Sequence, residues 1–150
     1  MRSNDPVEVP AAAAWLGGLG AIPFLGLALA RPLSDAALRP QLDFALLGYG
    51  AIILSFLGGI RWGLAIIQGS QTSHRLFRLL GLSVTPSLVA WAALMMPNGP
   101  GWMTLVAGFV VMLAVDILAA RHGEAPSWYP VLRWPLTGAA VASLLLGNLQ

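Results

Sequence analysis

Five long apolar segments, separated by short polar stretches, dominate the pattern of hydrophobic and polar positions along this chain. They lie at about residues 11–30, 42–67, 76–96, 102–120 and 131–149. A hydrocarbon core about 30 Å thick is crossed by about 20 residues of α-helix, because each residue adds about 1.5 Å. Each apolar segment is therefore long enough to span a bilayer as a helix.

The stretches between these segments are short and rich in turn residues. Pro-Asn-Gly-Pro-Gly stands at 97–101, and prolines also interrupt the stretches 31–41 and 121–130. A backbone exposed to lipid must satisfy its own hydrogen bonds, and no alternating strand pattern of about ten residues occurs. The sequence therefore predicts an all-α fold, an integral membrane bundle of five transmembrane helices that forms a single transmembrane domain over residues 1–150.

Composition agrees with a membrane protein and excludes several other classes. Hydrophobic residues make up 57% of the 150 residues and charged residues 9%, whereas soluble domains carry about 25% charged residues. The absence of cysteine excludes disulfides, thiolate metal sites and cysteine nucleophiles. All eight basic residues are arginines, and a formal net charge of +2 without a basic patch argues against nucleic-acid binding.

The arginines are distributed unevenly between the two sides of the predicted bundle. One side receives Arg2, Arg75, Arg78, Arg121 and Arg133. The opposite side receives Arg31 and Arg39. Because arginine-rich loops remain in the cytoplasm, we predict a bacterial inner (cytoplasmic) membrane protein with a cytoplasmic N-terminus and a periplasmic C-terminus, or a mitochondrial inner-membrane protein in a eukaryote.

Aromatic and small residues predict how the helices meet the headgroups and one another. Aromatic rings at predicted helix ends are expected at the membrane interface, namely Trp102, Trp128, Tyr129 and Trp134. Small residues spaced along helix faces predict close helix packing, namely Ser55, Gly58, Gly59, Gly108, Ala139, Ser143 and Gly147. A small-residue face turned toward lipid would equally suit a partner subunit.

Two charges, Arg61 and Asp116, lie inside predicted spans. An arginine at such a position costs about 3 kcal/mol on insertion scales, so it is a functional-site hypothesis by default. Arg61 and Asp116 lie seven and five residues, respectively, before a predicted cytoplasmic loop, so we expect similar depths. An ion pair between them is one interpretation. Separate extension of each side chain to the interface and a ligand or proton site are the others.

The third segment adds hydroxyl groups at Ser83, Thr85 and Ser87 around Pro86. These hydroxyls would either satisfy backbone groups that the proline frees or line a polar cavity together with Arg61 and Asp116. Such a cavity would suit a lipid or quinone headgroup or a small anion. The predicted buried polar cluster is therefore Arg61, Asp116, Ser83, Thr85 and Ser87.

Catalytic and metal sites find no support in the motifs. There is no Gly-x-Ser-x-Gly elbow, no His-Glu-x-x-His helix and no glycine-rich phosphate loop. His74 and His122 fall in separate loops without ligand spacing. We predict no enzyme activity, no catalytic residue, no metal and no cofactor.

Four pieces of the chain carry a family resemblance: Tyr49–Gly63, Ser83–Trp91, Pro126–Arg133 with Thr137, and Gly20–Phe24. Through them the chain resembles the uncharacterised multi-pass inner-membrane family that includes mitochondrial transmembrane protein sixty-nine and bacterial relatives. The resemblance implies a polytopic fold and an inner-membrane location, and it transfers no catalytic residue.

Function is expected to depend on packing within the membrane. With almost no extramembrane mass, many small-residue faces and no catalytic motif, we predict an accessory subunit or assembly factor of a larger, energy-transducing membrane complex. Its partners would be the lipid bilayer and a protein partner or a second copy of the chain. The alternative is a lipid-, quinone- or small-anion-binding or transport protein whose polar pocket lies near the cytoplasmic leaflet.

Overall fold

The fold of the chain is a bundle of five α-helices. The computed structural model describes residues 8–67, 73–97 and 99–149, and every regular element in these ranges is a helix. The helices are α1 Ala11–Leu33, α2 Arg39–Ile67, α3 Ser73–Met95, α4 Pro100–Arg121 and α5 Tyr129–Leu149. Each is long and apolar enough to cross a membrane. The predicted all-α membrane bundle is confirmed, with helix ends within three residues of those predicted.

Local hydrogen bonds explain where the first helix ends. The sequence predicts an end near residue 30, but α1 continues to Leu33 with Pro32 inside it. The Ser34 hydroxyl donates to the Ala30 carbonyl at 2.7 Å, and the Ser34 amide donates to the Arg31 carbonyl at 3.2 Å. Carbonyl groups at the end of a helix have no partner within it. Ser34 therefore satisfies two of them after the proline.

Helix α2 lies at the centre of the bundle. It is the longest helix, with 29 residues, and it packs against all four others. Around it, α1 packs on α5, α5 on α4, and α4 on α3. Phe24 packs edge-on against Tyr49 and Phe109, with ring centroids 4.9 and 5.8 Å away. This aromatic contact ties α1 to α2 and α4 in the core.

One end of the bundle is rich in arginine. It holds the C-terminal ends of α2 and α4 and the N-terminal ends of the other three helices. Four arginines lie in the helical turns nearest this end: Arg75, Arg78, Arg121 and Arg133. We call it the arginine-rich end. The predicted contributions of Arg2 and of most of the 68–75 loop lie outside the described residues.

Three of the predicted packing glycines lie at close helix contacts. A Cβ atom at Gly58 would collide with the Ser83 carbonyl oxygen on α3. A Cβ at Gly108 would lie 2.6 Å from Leu54 of α2, and one at Gly147 would lie 2.6 Å from Trp102. At Gly58 the neighbour is a backbone atom, so the backbones of α2 and α3 approach closely there, whereas at Gly108 and Gly147 a neighbouring side chain packs against the glycine.

The remaining small residues divide between buried and outer positions. Ser143 is buried, whereas Ser55 and Ala139 are half-buried. Gly59 does not lie at a helix contact, contrary to the prediction, because a Cβ there would meet no described atom within 4 Å. Successive helical residues point about 100° apart, so Gly58 and Gly59 cannot share a face.

Two of the four predicted interfacial aromatics lie inside the protein instead. Trp102 is only 3% exposed, because its ring packs over Gly147 of α5. Tyr129 is also buried, with the half-buried Trp128 packed edge-on against it. Trp134, by contrast, is 61% exposed on the outer surface. The interfacial prediction is therefore wrong for Trp102 and Tyr129.

Candidate functional site

An ion pair between Asp116 and Arg133 lies in the interior near the arginine-rich end. The Arg133 Nε donates to Asp116 Oδ2 at 3.0 Å, and the two side chains are 5% and 1% exposed. Asp116 lies five residues before the end of α4, and Arg133 lies four residues after the start of α5. Because α4 and α5 run antiparallel as neighbours, these positions meet at the same depth.

The partner of Asp116 differs from the predicted one. The structure describes both Arg61 and Asp116 and forms no salt bridge between them, although the charge of Arg61 acts on Asp116 at longer range. The sequence identified Arg133 as a topology signal and as part of a family motif, and it predicted no contact for this residue. The four-residue spacing of Tyr129, Arg133 and Thr137 marks a polar face on α5. All three residues are buried, and this spacing would have identified Arg133 as an inward-facing residue.

Several polar atoms around the pair have no hydrogen-bond partner within the described ranges. They are Asp116 Oδ1, Arg133 Nη2, the Tyr129 hydroxyl and Thr137 Oγ1, with Ser143 Oγ farther along α5. The charges of Asp116, Arg133 and Arg61 all act on the Tyr129 hydroxyl. Buried polar groups are nearly always paired in proteins. A cluster with this much unused capacity marks a candidate site.

Arg61 extends toward the loop between α4 and α5. Its Nη2 lies 3.9 Å from Oε2 of Glu124, and Arg75 Nη2 donates to Oε1 of the same carboxylate at 3.4 Å. Arg61 is largely covered, whereas Arg75 is exposed. Glu124 therefore joins α2 and α3 beneath the loop, a role that the sequence did not reveal.

The backbone of the α4–α5 loop sets the position of Glu124. Gly123 has a φ of 72°, in the left-handed region. The Glu124 amide donates to the Ala119 carbonyl at 2.8 Å, and the Gly123 amide donates to the Ala120 carbonyl at 3.2 Å. These two bonds form a Schellman motif, which ends a helix through a left-handed glycine. The motif turns the chain back and directs Glu124 toward α2.

A cavity of about 200 Å³ lies between α2, α3 and α4. Arg61 and Glu124 line its arginine-rich end, and its other end reaches Leu54. The seven residues from Leu54 to Arg61 correspond to about 10 Å of helix. Leu82 and Val111 line the cavity and are strongly exposed on the outer surface. We call it the α2–α4 cavity; it opens sideways toward lipid.

Three of the five residues in the predicted polar cluster line the α2–α4 cavity: Arg61, Ser83 and Thr85. The hydroxyl groups of Ser83 and Thr85 donate to the Leu80 and Gly81 carbonyls at 2.6 and 3.2 Å. Ser87 and Asp116 do not line this cavity. Ser87 is half-buried, because the inner face of α3 runs through Ser83, Pro86, Ala90 and Ala93.

The chain matches a protein family and is similar to known transmembrane proteins. A family model described as "Protein of unknown function (DUF3429)" matches residues 9–149. The chain belongs to this family. It is similar to transmembrane protein 69 of Xenopus tropicalis, with 38% identity over 141 residues, and to transmembrane protein 69 of Mus musculus, with 30% identity over 149 residues.

The alignments include nearly all of this chain but only part of each relative. The alignments include 92% and 95% of this chain but only 54% of the Xenopus protein and 59% of the mouse protein. The chain thus spans little more than half the length of either relative. No solved structure matches it. The names of the relatives and the five membrane-length helices support a transmembrane protein, and the DUF3429 family assignment names no ligand or reaction.

Proposed function

We propose that the protein binds an anionic amphiphile in the α2–α4 cavity. The headgroup would lie at Arg61 and Arg75, and part of an apolar chain would lie along α2 and α4. The supporting observation is the cavity's polarity, because its charged side chains lie at one end and most of the remaining lining is apolar. The sequence predicted an accessory subunit or, as the alternative, a ligand-binding protein, and this arrangement favours the ligand-binding protein.

Charge balance favours an anionic headgroup. The Arg61, Arg75 and Glu124 side chains together carry two positive charges and one negative charge. Guanidinium groups bind phosphate and carboxylate oxygens through paired hydrogen bonds. Basic pockets between transmembrane helices bind lipid headgroups on the same principle. The exposed Arg75 would be the first contact for the headgroup.

The size and opening of the cavity favour a segment of one acyl chain over a whole ligand. Pockets that enclose a drug-sized molecule measure about 300–1,000 Å³, and this cavity measures about 200 Å³. Since the exposed Leu82 and Val111 form its outer wall, the remainder of the molecule would stay in the bilayer. We infer that the ligand enters sideways from the membrane.

We place the arginine-rich end in the cytoplasm and the protein in an inner membrane. The support is the arginine distribution, with Arg75, Arg78, Arg121 and Arg133 near one end and Arg31 and Arg39 at the other. The headgroup site would then lie in the cytoplasmic leaflet, where anionic lipids are concentrated.

Native mass spectrometry of the detergent-purified protein with phosphatidylglycerol and with phosphatidylcholine tests the proposal. Arg61→Gln should weaken phosphatidylglycerol binding roughly tenfold, which corresponds to the loss of one charged hydrogen bond. Arg39→Gln alters an exposed arginine at the opposite end of the bundle and should leave binding unchanged. Equal retention of the two lipids by wild type would contradict the proposed headgroup selectivity.

A second pair of variants tests the cavity itself. Val111→Trp should fill the cavity and reduce phosphatidylglycerol binding, because Val111 lines its outer wall. Val110→Trp is the matched control, since Val110 is similarly exposed but does not line the cavity. If the two variants bind lipid equally, the ligand does not occupy this cavity.

An accessory-subunit role remains the second candidate, supported by the exposure of α1. Of its most apolar 18 residues, 11% are buried inside the protein, against 33% in α2, α4 and α5. We propose that a partner within the membrane covers the exposed face of α1. Purification in a gentle detergent should then recover a complex, and Gly18→Trp at an exposed position of α1 should disrupt it. Recovery of the monomer alone would contradict this role.

A further inference from the structure

A second cavity lies against a different face of α2 from the first. It measures about 300 Å³ and is bounded mainly by α1, α2 and α5. We call it the α1–α5 cavity. Leu16 and Phe56 line it and are strongly exposed on the outer surface, so it also opens toward lipid. Its volume reaches the lower limit of about 300 Å³ for pockets that enclose a small molecule.

Two polar residues stand out in the otherwise apolar lining of this cavity. They are Arg133 and Tyr129, both at least nine-tenths buried. Arg133 Nη2 and the Tyr129 hydroxyl each have no hydrogen-bond partner in the part of the chain that the structure describes. An unpaired buried donor costs about 1–3 kcal/mol. The cavity is therefore bordered by two donors whose hydrogen-bonding capacity is unused.

The charge at this cavity differs from that at the α2–α4 cavity. Among the residues that the structure describes, Arg133 is the one charged residue in the lining, and Asp116 already pairs with its Nε. The pair is neutral overall, so an anionic ligand would introduce an uncompensated charge in a low-dielectric interior, which is strongly unfavourable. A neutral acceptor oxygen fits the two donors without this cost.

We propose that the α1–α5 cavity binds an uncharged apolar molecule that carries a carbonyl oxygen, with Arg133 Nη2 and the Tyr129 hydroxyl as its hydrogen-bond donors. Quinone rings and the ester groups of neutral lipids share this chemistry. The molecule would enter from the bilayer between α1 and its neighbours. Both donor atoms are covered in the structure, so binding requires a shift of the side chains that cover them.

Three small probes added to the detergent-purified protein test the site. Decylubiquinone presents a quinone carbonyl, 1-oleoylglycerol presents an ester carbonyl, and decylbenzene presents none. Native mass spectrometry and thermal stabilisation should detect binding of at least one carbonyl probe and no comparable binding of decylbenzene. The carbonyl probe that binds more tightly shows whether the cavity prefers a quinone or the ester group of a neutral lipid. Equal binding of decylbenzene, or no binding of either carbonyl probe, would overturn the proposal.

Two variants link the binding to this cavity. Gly20→Leu should fill it and abolish binding, because Gly20 lines the cavity with only the Tyr49 hydroxyl near a built Cβ, at 3.9 Å. Gly26→Leu lies on the exposed face of α1, where a Cβ meets no described atom within 4 Å, and should retain binding. Retained binding in Gly20→Leu would overturn the assignment.

The contribution of the Tyr129 hydroxyl to binding is tested separately from the contribution of the cavity volume. Tyr129→Phe keeps the ring and removes the hydroxyl, so carbonyl-probe affinity should fall roughly fivefold, as expected for one hydrogen bond. If Gly20→Leu fails to fold, Tyr129→Phe still tests the proposal. Val111→Trp in the other cavity should leave carbonyl-probe binding unchanged, which keeps this test independent of the anionic-amphiphile proposal. Unchanged affinity in Tyr129→Phe would contradict the proposed hydrogen bond from the Tyr129 hydroxyl to the probe.

Discussion

Asp116 and Arg133 meet at a depth where neither ion is stable alone. Each side chain is almost completely buried, and one hydrogen bond of 3.0 Å joins them. Removal of one partner from a buried pair leaves an uncompensated charge and costs about 3–5 kcal/mol. Replacement of both partners by apolar residues is often nearly neutral, because the desolvation cost of both ions disappears as well.

The pair predicts an asymmetric result from single and double substitutions. Asp116→Leu should lower the free energy of unfolding by about 3–5 kcal/mol, because Arg133 becomes an unpaired buried charge. Asp116→Leu with Arg133→Leu should recover most of this loss. Denaturant-induced unfolding in detergent micelles, followed by tryptophan fluorescence, measures both values.

Arg61 provides the control for this experiment. Because Arg61 forms its salt bridge with Glu124 and not with Asp116, Asp116→Leu with Arg61→Leu should remain as unstable as Asp116→Leu alone. A rescue by Arg61→Leu equal to that by Arg133→Leu would contradict the assigned pairing.

Depth along the membrane normal could be predicted for these charges, but the neighbouring helix that each side chain contacts could not. Counting residues from the loops placed Arg61 and Asp116 at similar heights, and both do lie near the arginine-rich end. Height does not specify which neighbouring helix a side chain faces, and this depends on how the helices pack. Arg133 lies at a similar height, and the contact of α4 with α5 brings it to Asp116.

At the scale of elements, the tightest of the described glycine contacts occurs where α2 packs on α3 at Gly58. Any Cβ there would collide with a carbonyl oxygen of the α3 backbone at Ser83, and it would lie 3.4 Å from Pro86. A backbone atom cannot move aside as a flexible side chain does. The spacing of α2 and α3, and with it the width of the α2–α4 cavity, therefore depends on this glycine.

Gly58 and Gly59 form a matched pair for testing this contact. Gly58→Ala should destabilise the protein by about 1–3 kcal/mol, as expected for overpacking. Gly59→Ala should be neutral or stabilising by up to about 1 kcal/mol, because alanine favours the helix and no described atom lies within 4 Å of the added Cβ. Thermal unfolding of the two variants in detergent gives the comparison. Equal destabilisation by Gly58→Ala and Gly59→Ala would contradict the close contact assigned to Gly58.

Helix length and number could be read from the sequence, whereas the contacting faces could be read only in part. The apolar segments fixed five spans because bilayer thickness sets their length. In a membrane helix, apolar side chains face lipid as readily as protein. Hydrophobicity therefore does not identify the inner face, which explains why Gly59 and Trp102 were assigned to the wrong surroundings.

At the scale of the whole molecule, α2 separates two lateral cavities of different electrostatic character. The α2–α4 cavity carries Arg61 and Glu124 at one end, whereas the α1–α5 cavity carries the neutral pair through Arg133. The arginine distribution predicts that the polar end of both cavities faces the cytoplasm. This arrangement was not accessible from the sequence, because each cavity is formed by side chains from three or more helices.

The absence of cysteine makes this orientation directly testable. Ser127→Cys in the α4–α5 loop and Ala36→Cys in the α1–α2 connection both introduce a single exposed thiol. In intact bacterial cells with a permeable outer membrane, a membrane-impermeant maleimide should label the cysteine at position 36 and not the one at 127. Labelling of position 127 alone would reverse the predicted orientation.

The distances along the chain between charge partners have a consequence for insertion into the membrane. Asp116 and Arg133 are 17 residues apart in the chain, so their charges can pair as soon as α4 and α5 form a hairpin. Glu124 follows Arg61 by 63 residues (124 − 61). At a synthesis rate of about 5–20 residues per second, Glu124 is synthesised about 3–13 s after Arg61. During that interval the long side chain of Arg61 must extend to the lipid headgroups for solvation, so the stability of α2 in the bilayer depends on that contact until the last hairpin is made.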